Sequence, residues 1–255
     1  MEAYTDFAKV YSEMMSDTPY EKWEKYLAKI LKKYKITDGL VLDLGCGTGE
    51  MTRRLKNRGY DMIGVDLSEE MLFSAYEQDH DGILYLNQDM RSFELYGTVR
   101  AVVSVCDSMN YLTEDGDLEK VLKLVNNYLD PGGIMIFDLK TPYFYRHVLG
   151  NGTIAEELES VYCVWENEYD SEKRLNEYDL TFFFKDGDSY KRSSEVHIQR
   201  AFTLREIRAA VKASGMELIS VTDADTQKDI TKKSERIYVI AREHGKQHDI
   251  AGCGK

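Results

Sequence analysis

The sequence predicts an α/β protein: a mostly parallel sheet with helices on both faces, interrupted late by an antiparallel β insertion. Three observations carry this. Short apolar runs alternate with helix-patterned segments between residues 40 and 140, and continuous apolar strands belong to parallel sheets covered on both faces. The first run passes straight into a glycine-rich turn and a helix, Val41-Leu42-Asp43-Leu44-Gly45-Cys46-Gly47-Thr48-Gly49-Glu50. The alternation then breaks over residues 158–200 into extended, aromatic-rich segments with hairpin-type turns.

Taken in order, residues 22–35 place Trp23, Tyr26, Leu27, Ile30, Leu31 and Tyr34 on one helical face and six lysines against one glutamate on the other. Such a face can meet a membrane or nucleic acid, or can be the solvated side of a globular helix. Apolar runs follow at 40–44, 62–65, 83–86, 101–106 and 134–139. Between them, residues 50–58 read as a helix stopped by Gly59, and Ser68 reads as an N-cap with Glu69 and Glu70 in the first turn. Leu118, Val121, Leu122 and Val125 mark a helix that ends before Asp130-Pro131-Gly132-Gly133. In 158–200, the turn signals Asp170-Ser171-Glu172-Lys173 and Asp186-Gly187 separate three expected antiparallel strands. Thr203-Leu204-Arg205-Glu206 is a capping box opening a helix that ends at Gly215, and 217–221 and 236–241 read as two last strands. The tail from residue 244 has no period and is expected to be disordered; His244 and His248 stand four apart in it.

The 255 residues, 43% hydrophobic and 31% charged with 3 prolines, suit one large domain and exclude collagen-like or wholly disordered chains. No apolar run has membrane-helix length and no signal peptide is read at the N-terminus; four scattered cysteines share no zinc spacing, so no metal and a reducing, cytoplasmic location are expected. A net charge of −12 disfavours bulk nucleic acid as partner. Monomer and homodimer both stay open.

The glycine turn lets a ligand approach the backbone closely at the carboxyl end of the sheet. Its spacing is G-x-G-x-G, with Asp43 two residues before Gly45. Pyrophosphate favours bare helix N–H groups, whereas an acid in the turn matches a cationic ligand. Asp66, 21 residues after Gly45 at the end of the second strand, can accept from both ribose hydroxyls, with Leu67 beside it for a purine. Asn87-Gln88-Asp89-Met90-Arg91 follows the third strand, where Asp89 can accept an adenine amino group. Cys106-Asp107-Ser108-Met109-Asn110-Tyr111-Leu112 follows the fourth, where polar groups face the ligand crevice.

These four stations, in this order, resemble class I S-adenosylmethionine-dependent methyltransferases. The resemblance implies a Rossmann-like seven-stranded sheet of order 3-2-1-4-5-7-6 with the seventh strand antiparallel, and S-adenosylmethionine as methyl donor. It implies a methionine site at Asp43, Gly45, Cys46, Gly47 and Gly49. Asp66 and Leu67 then hold the ribose, Gln88, Asp89 and Met90 the adenine, and Cys106, Asp107, Ser108 and Asn110 the end of the donor site. Phe7-Ala8-Lys9-Val10-Tyr11, Pro19-Tyr20, Trp23 and the β insertion are similar to glycine and amino-sugar N-methyltransferases. By that likeness residues 1–36 form a helical lid, with Tyr11, Tyr20 and Trp23 over the donor. Residues 37–142 and 201–243 form the core, and 143–200 a substrate cap. No Pro-Pro element follows the fourth strand and Cys106 lacks a neighbouring proline. The amide- and adenine-modifying and cytosine-C5 branches are therefore poorly matched.

Methyl transfer is an in-line displacement that depends mainly on positioning, so catalytic groups can be few. Tyr11 and His197 are the catalytic candidates; Tyr111, Tyr143, Arg146, Trp165, His197 and Arg200 are the substrate-binding candidates. Glu195, His197 and Gln199 share one face of the last insertion strand. Residues 156–179 hold nine acids and two bases; if this face lines the entrance, it favours an amine acceptor by steering. The leading reading is transfer to nitrogen or oxygen of a small molecule. Action on RNA or protein, non-catalytic binding of an adenosine ligand, and a nicotinamide dehydrogenase remain the alternatives.

Overall fold

The computed structural model describes residues 7–78 and 82–246. Two helices lead, α1 (Phe7–Met14) and α2 (Tyr20–Lys33), followed by β1 (Leu40–Leu44), α3 (Glu50–Lys56), β2 (Asp61–Asp66), α4 (Glu69–Gln78), β3 (Ile83–Asn87) and β4 (Val99–Ser104). A short 3-10 helix (Ser108–Tyr111), α5 (Asp117–Tyr128) and β5 (Leu129–Lys140) complete the alternating half. A π-helical turn (Phe144–Leu149) leads into β6 (Gly152–Glu157), β7 (Val161–Asp170), β8 (Leu175–Asp186) and β9 (Ser189–Arg200), and α6 (Leu204–Ala213), β10 (Glu217–Asp223) and β11 (Arg236–Arg242) close the chain. The main sheet has seven strands in the order β10-β11-β5-β4-β1-β2-β3, with β11 antiparallel to both neighbours. This is the topology expected from the resemblance.

Period-two alternation divides the strands between two cores. Leu42, Leu44, Met135, Phe137, Leu139 and Val239 face α5 and α6. Val41, Val103, Ile134, Ile136 and Ile240 face α2 and α3. The apolar stripe of α2 (Trp23, Tyr26, Leu27, Ile30 and Leu31) is buried in that second core. Each such side chain contributes about 1.5–3 kcal/mol on burial, against at most about 1 kcal/mol for a surface ion pair. The stripe therefore docks the helix, and its lysines stand in solvent, where Lys22 meets Asp225 and Lys25 meets Glu21. The apolar face that a membrane would have to take is thus already spent on the sheet. Among the described residues, no helix is long and apolar enough to cross a membrane.

The insertion is a four-stranded antiparallel sheet, β6-β7-β8-β9, one strand more than expected. The extra strand, β6, is exposed at every position, so Gly-Thr-Ile-Ala-Glu-Glu carries no apolar alternation to announce it. The other strands follow their turns. Asp170 Oδ1 accepts from Glu172 N and Lys173 N at 2.9 and 3.0 Å. Gly187, φ +61°, opens the turn between β8 and β9. The inner face packs Val161, Cys163, Tyr178, Leu180 and Phe182 with Val10 of α1 and Tyr145. The capping box of α6 forms as expected: Thr203 N donates to Glu206 Oε2 at 2.8 Å and Glu206 N to Thr203 Oγ1 at 3.3 Å.

At the other end, the segment expected to be disordered begins in order. Lys246 Nζ donates to the carbonyl oxygens of Asn127 and Leu129 at 3.0 and 2.6 Å, and so caps α5. Residues 247–255, with His248, lie outside the described residues.

Asn110 staples the insertion to the main sheet. It is fully buried, donates from Nδ2 to the carbonyls of Lys140 (3.2 Å) and Arg200 (2.8 Å), and accepts from Lys140 N (3.0 Å). Asn110→Ala strands three partly buried backbone groups, so it is expected to lower unfolding free energy by about 2–4 kcal/mol. The shift of the urea midpoint measures this, and an unchanged midpoint contradicts the role.

Candidate functional site

The glycine turn is folded back onto the end of β2. Gly45 N and Cys46 N both donate to Val65 O, at 2.8 and 3.0 Å, and Gly47 N donates to Asp66 Oδ2 at 2.8 Å. Asp66 Oδ1 accepts from Ser68 N at 2.9 Å. Each oxygen of Asp66 thus keeps acceptor capacity on its open side. Burial raises the Asp66 carboxyl, while the Ser68 and Gly47 N–H groups pull the other way. Ser68 caps α4 through Oγ, which accepts from Met71 N at 3.1 Å.

Two glycines of the turn show different constraints. A Cβ on Gly45 would sit 2.6 Å from Ser108 Cβ, so Gly45 is fixed by packing. A Cβ on Gly47 would meet nothing within 4 Å and would stand in open space.

That space is a cavity of about 500 Å³, within the range of small-ligand and cofactor sites. The sequence candidates Tyr11, Tyr20, Asp43, Gly45, Cys46, Gly47, Asp66, Leu67, Gln88, Asp89, Met90, Cys106, Ser108 and Tyr111 all line it. Trp23, Gly49, Asp107 and Asn110 do not. Trp23 is buried under Arg236, whose guanidinium lies 5.1 Å from the indole centroid. Gly49 is pressed against the Tyr85 hydroxyl and Ala75. Asn110 is the staple described above.

Asp107 is buried in an ion cluster behind the wall. Lys140 Nζ is 2.7 Å from it, Arg236 bridges it to Asp138, and its own N–H donates to Asp138 Oδ1 at 3.1 Å. Burial alone would raise the Asp107 carboxyl, but Arg236 and Lys140 outweigh it and hold it low. This cluster locks a strained turn: Cys106 and Asp107 have φ of +65° and +64°, a region that costs non-glycine residues about 1–3 kcal/mol each. The turn aims Cys106 into the cavity, 3.6 Å from the Tyr11 hydroxyl, and burial pushes its thiol up to about 12.

Asp43 is 1% exposed and accepts from Thr52 Oγ1 at 2.6 Å. Burial pushes its carboxyl up to about 7, partly offset by Thr52, with Asp66 adding to the rise. Asp89 is held low chiefly by Arg91, whose Nε and Nη2 donate to it at 2.9 and 2.6 Å. Gln88 is tied to the backbone of Glu94 through both its amide atoms, at 3.4 and 2.6 Å.

The insertion candidates stand apart from this cavity. Arg200 Nη1 pairs with Asp115 at 2.8 Å and Nη2 with Glu206 at 3.1 Å. Trp165 donates to Asn167 at 2.9 Å. Tyr143 lies against His147 with ring centroids 4.9 Å apart, and Arg146 is exposed. His197 is buried, and its Nδ1 lies 3.2 Å from the hydroxyl of Tyr111, which lines the cavity.

The acidic segment 156–179 does not line the entrance either; Glu166, Glu168, Glu177 and Asp179 stand exposed on the outer face of the insertion sheet. The cavity has its own acids. Among the described residues, Asp43, Glu50, Asp66, Glu69, Glu70 and Asp89 line it against one base, Arg91, which is already paired with Asp89. Glu50, Glu69, Glu70 and Thr52 were not singled out from sequence as ligand groups. Asp138 and Arg236 also escaped it, although charges inside otherwise apolar strands signal a buried pair.

Such a site suits a ligand with an adenosine end and a cationic end. S-Adenosylmethionine fits: an open glycine cradle, a strand-two carboxylate with free lone pairs, and acids for a sulfonium and an ammonium. Among the described residues, a pyrophosphate would find no unpaired cation there.

The comparisons agree. A methyltransferase-domain family matches residues 41–133. The Bacillus subtilis (strain 168) protein named Putative methyltransferase YqeM is 36% identical over 242 residues, 94% of this chain and 96% of its own length. A crystal structure of an S-adenosylmethionine-dependent methyltransferase from Clostridium acetobutylicum ATCC 824 superposes with a TM-score of 0.84 at 30% identity, covering 96% of this chain and all of its own. A Streptomyces venezuelae protein named as a dTDP-3-amino-3,4,6-trideoxy-alpha-D-glucopyranose N,N-dimethyltransferase is 26% identical over 70% of this chain and 75% of its own. The chain belongs to the class I S-adenosylmethionine-dependent methyltransferases.

Proposed function

We propose that the chain methylates the amino group of a small molecule of the amino-sugar class, in the cytoplasm. The observation that carries this is the cavity's lining: among the described residues it holds six acids against one base, with Glu50 and Asp89 held by arginines and Asp43, Asp66, Glu69 and Glu70 not paired with one. It favours a cationic donor and a cationic acceptor together, and it disfavours phosphate-rich polymers. The similarity to an amino-sugar N,N-dimethyltransferase supports the acceptor class. The unpaired thiols Cys46, Cys106 and Cys163 support a reducing compartment.

S-Adenosylmethionine, when bound, supplies a methyl group on a positively charged sulfur. Asp66 would hold its ribose, Leu67, Asp89 and Met90 its adenine, and Asp43, Gly45 and Gly47 its amino-acid end. Tyr11 and Tyr20 wall the cavity from the N-terminal side, where they exclude water. The protein's main task is to fix the acceptor nitrogen in line with the methyl group, which can supply much of the rate gain.

Three outcomes test this reading. S-Adenosylmethionine and S-adenosylhomocysteine should raise the melting temperature, by the stabilisation expected of a ligand that binds only the folded state. NAD should not, and a shift with NAD alone overturns the assignment.

Gly45→Ala and Gly47→Ala should part company. The first clashes with Ser108 and lowers the melting temperature. The second leaves the empty fold close to wild type, apart from about 1 kcal/mol for its φ of +53°, but blocks S-adenosylhomocysteine. Calorimetric titration beside melting curves reads both; equal binding by Gly47→Ala refutes the cradle.

Asp43 sets a pH dependence. Its folded carboxyl stands at about 7 against an ordinary value of 3.8, so the empty fold binds this proton more tightly than the unfolded chain. Stability from this group is present below about 4 and is lost as pH rises to about 7. Asp43→Asn should therefore stabilise the empty protein more at pH 8 than at pH 5.5, while wild-type affinity for S-adenosylhomocysteine strengthens over that interval as Asp43 ionises. Denaturant melts and titrations at the two pH values measure this, and a pH-independent gain contradicts it.

A further inference from the structure

The last insertion strand buries its polar side and exposes its apolar one. Glu195, His197 and Gln199 are 2%, 2% and 3% exposed, whereas Val196 and Ile198 are 44% and 42% exposed. A carboxylate and an imidazole are costly to bury unless each has a partner. The inward face supplies them in a line. Glu195 Oε2 lies 3.2 Å from His197 Nε2, and His197 Nδ1 lies 3.2 Å from the Tyr111 hydroxyl. Gln199, next along the strand, is engaged separately, accepting from the hydroxyls of Tyr145 and Tyr178 at 2.8 and 2.9 Å.

The relay needs one of the two tautomers this line allows: with Glu195 as a carboxylate, which only accepts, Nε2 carries the imidazole hydrogen and Nδ1 accepts from the Tyr111 hydroxyl. Tyr111 is the member that borders the cavity. Its place is set from both sides, by Asn110 against β5 and β9 and by Ser108 Oγ, which donates to Gly45 O at 3.0 Å.

We propose that Tyr111, His197 and Glu195 form a proton-accepting relay for the acceptor amine. Tyr111 touches the acceptor, and His197 and Glu195 are positioning residues behind it. The inference rests on the reading that the acceptor is an amine, which enters as an ammonium. The acceptor's N–H bond breaks, its electron pair stays on nitrogen, and the proton passes to the Tyr111 oxygen. Tyr111 passes its own proton to His197 Nδ1. The acceptor goes from +1 to neutral, and the relay from −1 to neutral, as imidazolium beside carboxylate. The result is a free lone pair on nitrogen, the form that can attack a methyl group. The relay has the logic of a nucleophile–imidazole–carboxylate triad, with a phenol in the first place.

Nitrogen-resolved NMR of the ligand-free wild-type protein reads the tautomer without any turnover. The expected result is His197 protonated on Nε2, with the Nδ1 resonance moving toward that of an imidazole nitrogen without a donor in Tyr111→Phe. A proton on Nδ1, or an Nδ1 resonance indifferent to Tyr111→Phe, overturns the relay.

Turnover supplies the second arm, with S-adenosylmethionine and 3-amino-3-deoxyglucose, an amino sugar without phosphate, as probe. Tyr111→Phe and His197→Gln should each lower kcat about a hundredfold, within the range for a lost proton-transfer group. S-Adenosylhomocysteine affinity should stay within twofold, and the double variant should be no slower than either single, because the members act as one unit. Additive losses, or kcat within twofold of wild type, overturn the proposal. Failure of wild type to bind S-adenosylhomocysteine would instead sink the donor assignment, while the tautomer still decides the relay.

Discussion

The site depends on one contact: the glycine turn closes onto the end of β2, with Gly47 N held by the Asp66 carboxylate at 2.8 Å and Gly45 N and Cys46 N by Val65 O. That closure requires positive φ at Gly45 and Gly47 and turns the free edge of Asp66 into the cavity. It also brings Gly45 against Ser108, which ties the turn to the short 3-10 helix that carries Tyr111. The glycine turn and the Tyr111 wall of the cavity are therefore one connected piece of backbone. The insertion is joined to the same piece through Asn110.

Electrostatics then decide what the cavity holds. The net charge of −12 is a whole-molecule number, and the acids that matter come from four separated places: Asp43 and Glu50 flank the glycine turn, Asp66 ends β2, Glu69 and Glu70 open α4, and Asp89 follows β3. Behind them Asp107, Asp138, Lys140 and Arg236 balance one another. That cluster contributes shape, by holding the Cys106-Asp107 turn, rather than field.

How much was legible in sequence follows from how each signal arises. The buried strands β1, β2, β4 and β5 were legible because burial on both faces leaves an unbroken apolar run. The glycine turn and Asp66 were legible because backbone approach and ribose binding demand fixed residue types at fixed separations. β6 was not, because an exposed edge strand has no alternation to read. Asn110 read as a ligand group because a polar residue after β4 commonly faces the crevice; only the fold shows it spent on the carbonyls of Lys140 and Arg200. The acids of 156–179 illustrate the limit: spacing identifies residues sharing a face, but not which face turns inward. His197 shows the converse, since its face was identified and its burial was not.

In the proposed site the Asp66 carboxylate, anchored by the glycine turn, binds the donor's ribose. Titration of S-adenosylhomocysteine into wild type and Asp66→Ala tests it most directly. One site per chain is expected in wild type. Loss of two charge-assisted hydrogen bonds should weaken binding in the variant by about a hundredfold or more. Equal affinity in a folded Asp66→Ala protein would contradict the account.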